Sequence, residues 1–292
     1  MLKSLYKYFP DRPEFFDNFL IRATTKGALN DPFEVNPSVD YWTDLSLDHN
    51  PHLSRVNVRN RYIEMRDSKQ QALDYGYSLY RKYGIVSLTE CRDNLLMWSH
   101  YANEHKGMAV EFDVTHDFFN SMHTDGNDLV GQVTRVSYRK QRIVELGDYI
   151  LEPYFVKSDE WQYEKEHRLL LPIQKASKYW VNCSDKQFTK LEQKHDLKVV
   201  EMSIVENTPF HEIIHREGAS LALDYPSVMC MFEVPKLAIK SITFGCKSDI
   251  AFMNKVLTKV SNNGLNNVQI YRAKQDVSDF KIYFEHNATN II

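Results

Sequence analysis

The chain has 292 residues, of which 43 % are hydrophobic, 13 % aromatic and 26 % charged, as in ordinary folded globular proteins. Its formal net charge of −3 argues against a strong nonspecific nucleic-acid binder, which needs surplus Lys and Arg to displace counterions. The sparse Gly and Pro, ten of each, argue against a large disordered fraction.

Cysteine usage and hydropathy bear on the compartment. The 4 cysteines lie far apart without a C-x-x-C pair, which predicts free thiols in a reducing compartment rather than a disulfide framework. The first residues lack the apolar core of a signal peptide, and no stretch approaches the roughly 20 apolar residues of a membrane span. We therefore expect a cytoplasmic protein with no membrane partner.

The first half of the chain contains strands and helices in mixed order. Residues 36–52, rich in polar residues and containing Pro, predict a loop. Helix formers predict a helix over 55–83, broken once, and a second helix over 94–106 with Asp93 as its cap. Short apolar runs predict the strands 5–9, 18–25, 84–88 and 108–113.

The second half is less regular. Residues 141–163 are predicted to be mostly helical around Pro153, and a helix is expected over 248–260. The region 176–230 predicts mixed strands with a short helix near 209–216. Further strands are predicted at 133–138, 166–171, 240–244, 268–272 and 280–284.

These elements do not alternate regularly between strand and helix, which favours an α+β fold over a doubly wound sheet. We expect a mixed or antiparallel central sheet with helices packed around it. The whole chain, 1–292, is interpreted as a single domain. Within it, 36–83 is a mostly helical insertion and 176–235 is the segment for which the sequence predicts least.

A first candidate motif is the run from Asn30 through Asp31 to Glu34. Asn and Asp stabilise turns through their side chains, and Pro32 keeps Asp31 extended. The run is therefore either a turn between elements or a rim of amide and carboxylate groups that faces a ligand.

A second candidate motif extends from Ser87 to the aromatic helix beyond it. Trp98 and Tyr101 are three residues apart and share one side of a helix, with His100 between them. This band either packs into the core or presents rings and an imidazole to a ligand, since a polar group within such a stripe needs a partner.

A third candidate motif contains Glu164, Glu166 and Arg168. On a strand these three side chains share one face. They are either a solvated run of charges or a site, and the apolar strand that follows them favours a functional role for at least one Glu.

One metal-site signature is present. His211, Glu212 and His215 form the string H-E-x-x-H, which on a helix places two imidazoles and a general base around zinc. Pro209 and Gly218 leave room for about two helical turns only, so a zinc site is the less favoured reading. Gly-rich phosphate loops and the G-x-S-x-G elbow are absent from the sequence.

Taken together, these strings resemble the bacterial family named domain of unknown function 2971. The resemblance spans roughly residues 5–113, 155–172 and 237–284. The strings that carry it are Leu5-Tyr-Lys-Tyr8, Asn30-Asp-Pro-Phe-Glu34, Ser87-Leu-Thr-Glu90, Met97-Trp-Ser-His-Tyr-Ala102, His105-Lys-Gly107, Trp161-x-x-Glu164-x-Glu166-x-Arg168 and Ile239-Lys-Ser-Ile-Thr-Phe-Gly245.

More remotely, the order of these motifs resembles the ADP-ribosyltransferase superfamily. The resemblance implies NAD as a substrate, with no metal required, and a toxin or phage-defence context. An early strand would contact NAD through Tyr6 or Lys7, Ser87 and Tyr101 would follow, and Glu164 or Glu166 would be catalytic. The acceptor would be a protein or nucleic acid, and an antitoxin or another defence component would be a partner.

Several residue types suit that chemistry. A carboxylate stabilises the positive charge that builds on the ribose when nicotinamide leaves. His100 would orient a hydroxyl or accept a proton. The other expected contacts are Trp98 or Tyr101 stacked on nicotinamide, Arg22 or Arg168 on the pyrophosphate, and Asn30, Asp31 and Glu34 facing the substrate.

Two other functions remain open. In a metal-dependent hydrolase or nuclease, acidic side chains and His100 would converge on a divalent ion. The residues concerned are Asp31, Glu34, His100, Glu164 and Glu166. In a non-catalytic sensor or toxin-partner module, the same pocket would bind a ligand or peptide without turnover.

Overall fold

A computed structural model describes residues 2–65, 80–182, 202–205, 210–213 and 217–286. The strands are β1 Ser4–Phe9, β2 Leu20–Thr25, β3 Tyr83–Thr89, β4 Met108–Asp113, β5 Val133–Arg135, β6 Ser137–Arg139, β7 Val156–Ser158, β8 Glu166–Pro172, β9 Lys178–Asn182, β10 Met202–Ile204, β11 Phe210–Ile213, β12 Val228–Glu233, β13 Ile239–Phe244, β14 Gln269–Gln275 and β15 Ile282–His286. The α-helices are α1 Phe15–Asn18, α2 Val39–His49, α3 Arg55–Met65, α4 Leu95–Tyr101, α5 Glu217–Asp224 and α6 Ile250–Asn262.

One large mixed sheet organises these elements. Its strands run in the order β10-β11-β9-β12-β2-β3-β1-β4-β13-β14-β15, with β8 and β5 branching from β3. Only β13 and β14 pair in parallel within it, and β6 and β7 form a separate parallel pair. The predicted α+β class, with helices around a mixed central sheet in a single domain, is confirmed.

The sheet forks at β3. One edge of β3 pairs with β8 along its whole length, from Tyr83 to Thr89. The opposite edge is shared, because β2 pairs only with Gly84 and Ile85 whereas β1 pairs only with Thr89. Between these contacts β1 and β2 diverge, and a wedge opens beside the middle of β3.

Apolar side chains cover both faces of the sheet. On one face, α6 buries Phe252, Met253, Val256 and Val260, the spacing expected of an amphipathic helix. They join the main core, which includes Phe112 and other residues of the central strands. A second core lies under α2 and α3 and contains buried Tyr41, Trp42, Tyr80, Tyr154 and Leu170.

The predicted loop over 36–52 is wrong, because most of it forms α2. The Ser38 hydroxyl accepts the Tyr41 N–H at 3.2 Å and caps the helix, a contact worth about 1 kcal/mol. Tyr41 and Trp42 are buried among other rings. The helix predicted over 55–83 is present as α3 to Met65, residues 66–79 lie outside the described part, and Tyr83 already begins β3.

The aromatic helix predicted over 94–106 is shorter, since α4 ends at Tyr101. Its cap is Asn94, whose side chain accepts two backbone N–H groups, and not Asp93. Residues 103–105 all have positive φ, so the chain turns away from the helix. At Gly107 a Cβ would lie 2.1 Å from the Phe9 carbonyl oxygen, which shows how closely the chain passes β1.

Two other helices predicted from the sequence are strands or tight turns. Over 141–163 the described chain has no α-helix: the 3-10 helices Glu152–Phe155 and Asp159–Glu164 flank β7. Pro153 lacks an N–H group and occupies the first turn of the former. Near 209–216, residues 210–213 form β11 between β9 and β10, and 209 and 214–216 lie outside the described part.

The remaining predicted strands are present with shifted ends. The strand predicted over 133–138 is divided at Val136 into β5 and β6. The strand predicted from 18 begins at Leu20 because Phe15–Asn18 is helical and Phe19 adopts a left-handed conformation. No helix in the described ranges is both long and apolar enough to cross a membrane.

Candidate active site

The wedge at the fork contains a cavity of about 350 Å³. Three strands supply its walls: β1 through Tyr6 and Lys7, β2 through Arg22, and β3 through Ser87. Lys7 is partly buried, and its Nζ donates to the Ser87 carbonyl at 3.3 Å. On the edge of β3 that faces away from β8, the middle of the strand has no neighbouring strand. There the Lys7 side chain, rather than a backbone N–H, provides the hydrogen bond to the Ser87 carbonyl.

Five charged side chains are buried together at one end of this cavity. Each is at most 6 % exposed. Three are carboxylates and two are cations: Glu34, Glu164, Glu166, Lys157 and Arg168. Charges this deeply buried need partners, so the reading of residues 160–168 as a solvated run of charges does not hold for Glu164, Glu166 or Arg168.

Lys157 lies at the centre of the three carboxylates. Its Nζ is 2.6 Å from Glu164 Oε2, 3.1 Å from Glu34 Oε1 and 3.3 Å from Glu166 Oε2. Burial opposes its charge, but the carboxylates outweigh burial and raise the pKa of Lys157 above its ordinary value. Lys157 comes from β7, whose partner β6 places Tyr138 beside it.

Arg168 closes the other side of the cluster. Its Nε and one Nη donate to the two Glu166 oxygens at 2.9 and 3.0 Å, and it also pairs with Glu34. The second Nη donates to the Tyr154 carbonyl at 2.7 Å. This fork geometry is the bidentate pairing that suits guanidinium and carboxylate.

Glu164 and Glu166 have different environments. Burial favours the neutral form of Glu166, but Arg168 and Lys157 prevail and lower its pKa to about 2. At Glu164 burial prevails over the attraction of Lys157, so the pKa of this carboxyl is raised. Its other oxygen accepts the Tyr101 hydroxyl at 2.5 Å. Glu166 pairs with both Arg168 and Lys157, whereas Glu164 pairs with Lys157 alone among the described cations, so the charge of Glu164 is less fully compensated.

Local backbone geometry produces this difference. The 3-10 helix Asp159–Glu164 ends at Lys165, which has φ 43°. A left-handed backbone conformation is uncommon for a residue other than Gly. Here it turns the chain sharply into β8. As a result Glu164 and Glu166 both face the cavity, although only Glu166 lies on the strand with Arg168.

Two cations that line this cavity, Lys7 and Arg22, have lowered pKa values. Burial lowers the pKa of Lys7 to about 8, with Glu166 acting against burial and Arg22 acting in the same direction as burial. Burial likewise lowers the pKa of Arg22. Both groups line the cavity, so an entering ligand with an anionic part would meet Lys7 and Arg22.

Most residues predicted from the sequence are brought together here. Those that line the cavity are Tyr6, Lys7, Arg22, Asn30, Glu34, Ser87, Tyr101, Glu164 and Glu166. Arg168 lies directly behind them. No sequence pattern marks Lys157, because an isolated Lys in a predicted helix is normally a solvated residue.

Three predicted residues lie elsewhere. Trp98 is fully buried, with its edge against Tyr8 at 5.0 Å between ring centroids, so it is a core residue with no face for a ligand. His100 is exposed and does not line the cavity. Asp31 is buried but accepts the Phe33 N–H at 2.8 Å, which is the turn interpretation of that motif.

The geometry also bears on the metal hypotheses. Within the described ranges, no three His, Cys, Asp or Glu side chains are arranged to hold a metal ion. Where three carboxylates do converge, an ammonium group occupies the centre. His211 and Glu212 lie on β11 rather than a helix, Glu212 pairs with Lys178, and His215 is outside the described part.

The depressed pKa of Glu166 predicts a pH dependence of folding. A carboxyl whose pKa falls from 4.5 when free to about 2 when folded stabilises the folded state fully above pH 4.5, and this stabilisation is lost as pH falls toward 2. Urea unfolding between about pH 6 and pH 3 should therefore show a steeper loss of stability for the wild type than for Glu166→Gln. Parallel curves would contradict the assignment. The raised pKa of Glu164 contributes to the pH dependence of stability with the opposite sign, and it does so in both the wild type and Glu166→Gln.

Residues 97–169 match the family described as "Protein of unknown function (DUF2971)". The matched segment contains Tyr101, Lys157, Glu164, Glu166 and Arg168, hence most of the buried charge cluster. It supports the family resemblance over these residues. No curated protein and no solved structure matches the chain.

Proposed function

We propose that this chain is an ADP-ribosyltransferase-like enzyme that cleaves NAD at the bond between nicotinamide and ribose. The observation that carries the proposal is the incompletely compensated carboxylate of Glu164 in a cavity that Lys7 and Arg22 also line. The cavity is about 350 Å³, within the range of small-molecule sites. It is large enough for the nicotinamide riboside part of the substrate, with the remainder extending past Lys7 and Arg22.

The bond changes fit this charge distribution. The bond between ribose C1′ and the nicotinamide nitrogen breaks, and its electron pair stays on that nitrogen, so nicotinamide leaves as a neutral molecule. Positive charge then develops on C1′ and the ring oxygen, as in glycoside hydrolysis. A fixed carboxylate stabilises this charge most when its own charge is not already neutralised, which favours Glu164 over Glu166.

The second half of the reaction needs an acceptor with an O–H or N–H group. The acceptor atom bonds to C1′ and releases its proton, and Glu164 is placed to receive it. With water as the acceptor the products are ADP-ribose, nicotinamide and one proton. Lys157 and Tyr101 hold Glu164 in place through both of its oxygens.

The remaining cavity residues have supporting roles in this proposal. Lys7 and Arg22 would bind the pyrophosphate, because both are partly desolvated cations that line the cavity. Tyr6 and Ser87 would contact the nicotinamide ribose, and Asn30 lies at the exposed rim where an acceptor would approach. We also propose that the acceptor is a protein or nucleic acid and that an antitoxin or another defence-system component is a partner of this chain.

The experiment is NAD consumption by the purified chain, followed by the release of nicotinamide, together with thermal melts. At about 100 times its dissociation constant a ligand adds about 2.7 kcal/mol of stability, so NAD should raise the melting temperature visibly. Turnover should persist in a chelator. Stabilisation by a divalent metal with no response to NAD would favour the hydrolase alternative. If neither NAD nor a divalent metal raises the melting temperature, the non-catalytic binding module is the favoured alternative.

A further inference from the structure

A second, larger cavity of about 780 Å³ adjoins the first. It lies against the wing of the sheet that contains β2, β9 and β12. Trp180 on β9 stands opposite Met229 on β12, and Arg22 on β2 stands opposite Met231. Lys7 and Arg22 line both cavities, so the two spaces meet at these cations.

The walls of this second cavity contain buried polar atoms without hydrogen-bond partners among the described residues. They belong to four side chains: Trp180 Nε1, Arg22 Nε, Glu14 Oε2 and Ser227 Oγ. An unpaired buried donor or acceptor destabilises the fold, and such groups in native proteins call for an explanation. All four side chains line the same cavity, so a molecule bound there would supply the missing partners.

The kinds of atom involved restrict that molecule. The indole and guanidinium N–H groups can only donate, the Glu14 carboxylate accepts, and the Ser227 hydroxyl does either. The surrounding wall is apolar, since Leu20 and Met231 pack with Trp180. A fatty acid has polar atoms only at one end and cannot match this set, whereas a heterocyclic base has donors and acceptors around a flat apolar body.

The charges of the lining residues restrict the ligand further. Lys7, Arg12 and Arg22 contribute three cations to the lining, against the single carboxylate of Glu14. The excess is positive, and two of its members lie at the junction of the cavities. A ligand with its base beside Trp180 would therefore have a phosphate at Lys7 and Arg22.

We infer that the second cavity is a binding site for a nucleoside phosphate, with the base among Trp180, Met229 and Met231 and the phosphate at the junction. The site is separate from the carboxylate cluster. Its extension to NAD rests on the proposed function, because the adenosine phosphate half would then occupy this cavity while the nicotinamide half reaches Glu164.

The test is binding of AMP, adenosine and ribose 5-phosphate to the full chain by titration calorimetry. AMP should bind more tightly than either fragment. Arg22→Met should weaken AMP by about tenfold or more while adenosine changes little, since a charged hydrogen bond is worth about 1.5–3 kcal/mol. Trp180→Phe keeps the ring and loses the N–H, so it should weaken AMP and adenosine alike and spare ribose 5-phosphate.

Lys274→Met removes a surface cation paired with Glu285 and serves as the matched control. Thermal melts of every variant identify any that fail to fold, and a failed variant is replaced by competition of AMP against NAD in the wild type. No AMP binding at millimolar concentration, or binding that both variants leave unchanged, overturns the inference. AMP binding without NAD turnover would refute the proposed function alone. NAD turnover whose KM is unaffected by Trp180→Phe, a residue that lines the second cavity and not the first, would refute this site alone.

Discussion

Glu164→Gln is expected to lower the rate of NAD consumption by about 10²–10³-fold, the size of effect seen when one electrostatic contact to a transition state is removed. The amide keeps nearly the same shape and its oxygen still accepts the Tyr101 hydroxyl, but its NH2 group replaces the oxygen that accepts from Lys157. Lys157 retains Glu34 and Glu166 as partners at 3.1 and 3.3 Å. The melting temperature should therefore fall by less than in Arg168→Met, which removes the partner of both Glu34 and Glu166, and NAD binding should survive.

The matched control is Glu160→Gln, in the same 3-10 helix but on an exposed side chain. It removes an identical charge and should leave turnover unchanged. Release of nicotinamide followed in initial-rate assays measures both variants. Full activity of Glu164→Gln would show that this carboxylate does not stabilise the reacting ribose. Loss of activity in Glu160→Gln would show that general charge, not position, matters.

Arg168→Met is expected to lower the free energy of unfolding by about 3–5 kcal/mol, because removal of one partner leaves buried charges uncompensated. Arg168 is 1 % exposed and pairs with both Glu34 and Glu166. Domains of this kind have about 5–15 kcal/mol of stability in total, so the loss is a large fraction of it. Urea unfolding followed by tryptophan fluorescence measures the change.

Two comparisons make this result interpretable. Lys274→Met breaks an exposed pair with Glu285 and should cost below about 1 kcal/mol. Arg168→Lys keeps the charge but not the two-pronged geometry, and should fall between wild type and Arg168→Met. If Arg168→Met unfolds within about 1 kcal/mol of the wild type, the cluster is not a structural element of the fold.

The sequence predicted the strands better than the helices, for a physical reason. Strands such as β3, β4 and β8 lie in a sheet that is buried on both faces. Burial selects apolar residues, so these strands are recognised in the sequence as short apolar runs. Helix α2 has many polar residues on its outer face, so its buried Tyr41 and Trp42 were hidden within an apparent loop. Helix α4 ends early because the chain must turn to reach β4.

The candidate site was predicted in part for a similar reason. Glu164, Glu166 and Arg168 precede an apolar strand, so the sequence itself marks them as charges beside a core. Lys157 has no such mark, since its position depends on β7, a three-residue strand that pairs with β6. Trp98 was interpreted as a ligand-stacking residue because helical periodicity does not distinguish a ring in the core from one at a cavity.

Gly84 has a further significance at the fork of the sheet. A Cβ on this residue would lie 2.8 Å from the Ala23 carbonyl oxygen, so a larger side chain would push β2 away from β3. Since β2 and β1 lead into opposite wings, their separation sets the width of the cavity between them. The absence of a side chain at Gly84 thus permits the close approach of β2 to β3 that sets the width of the site.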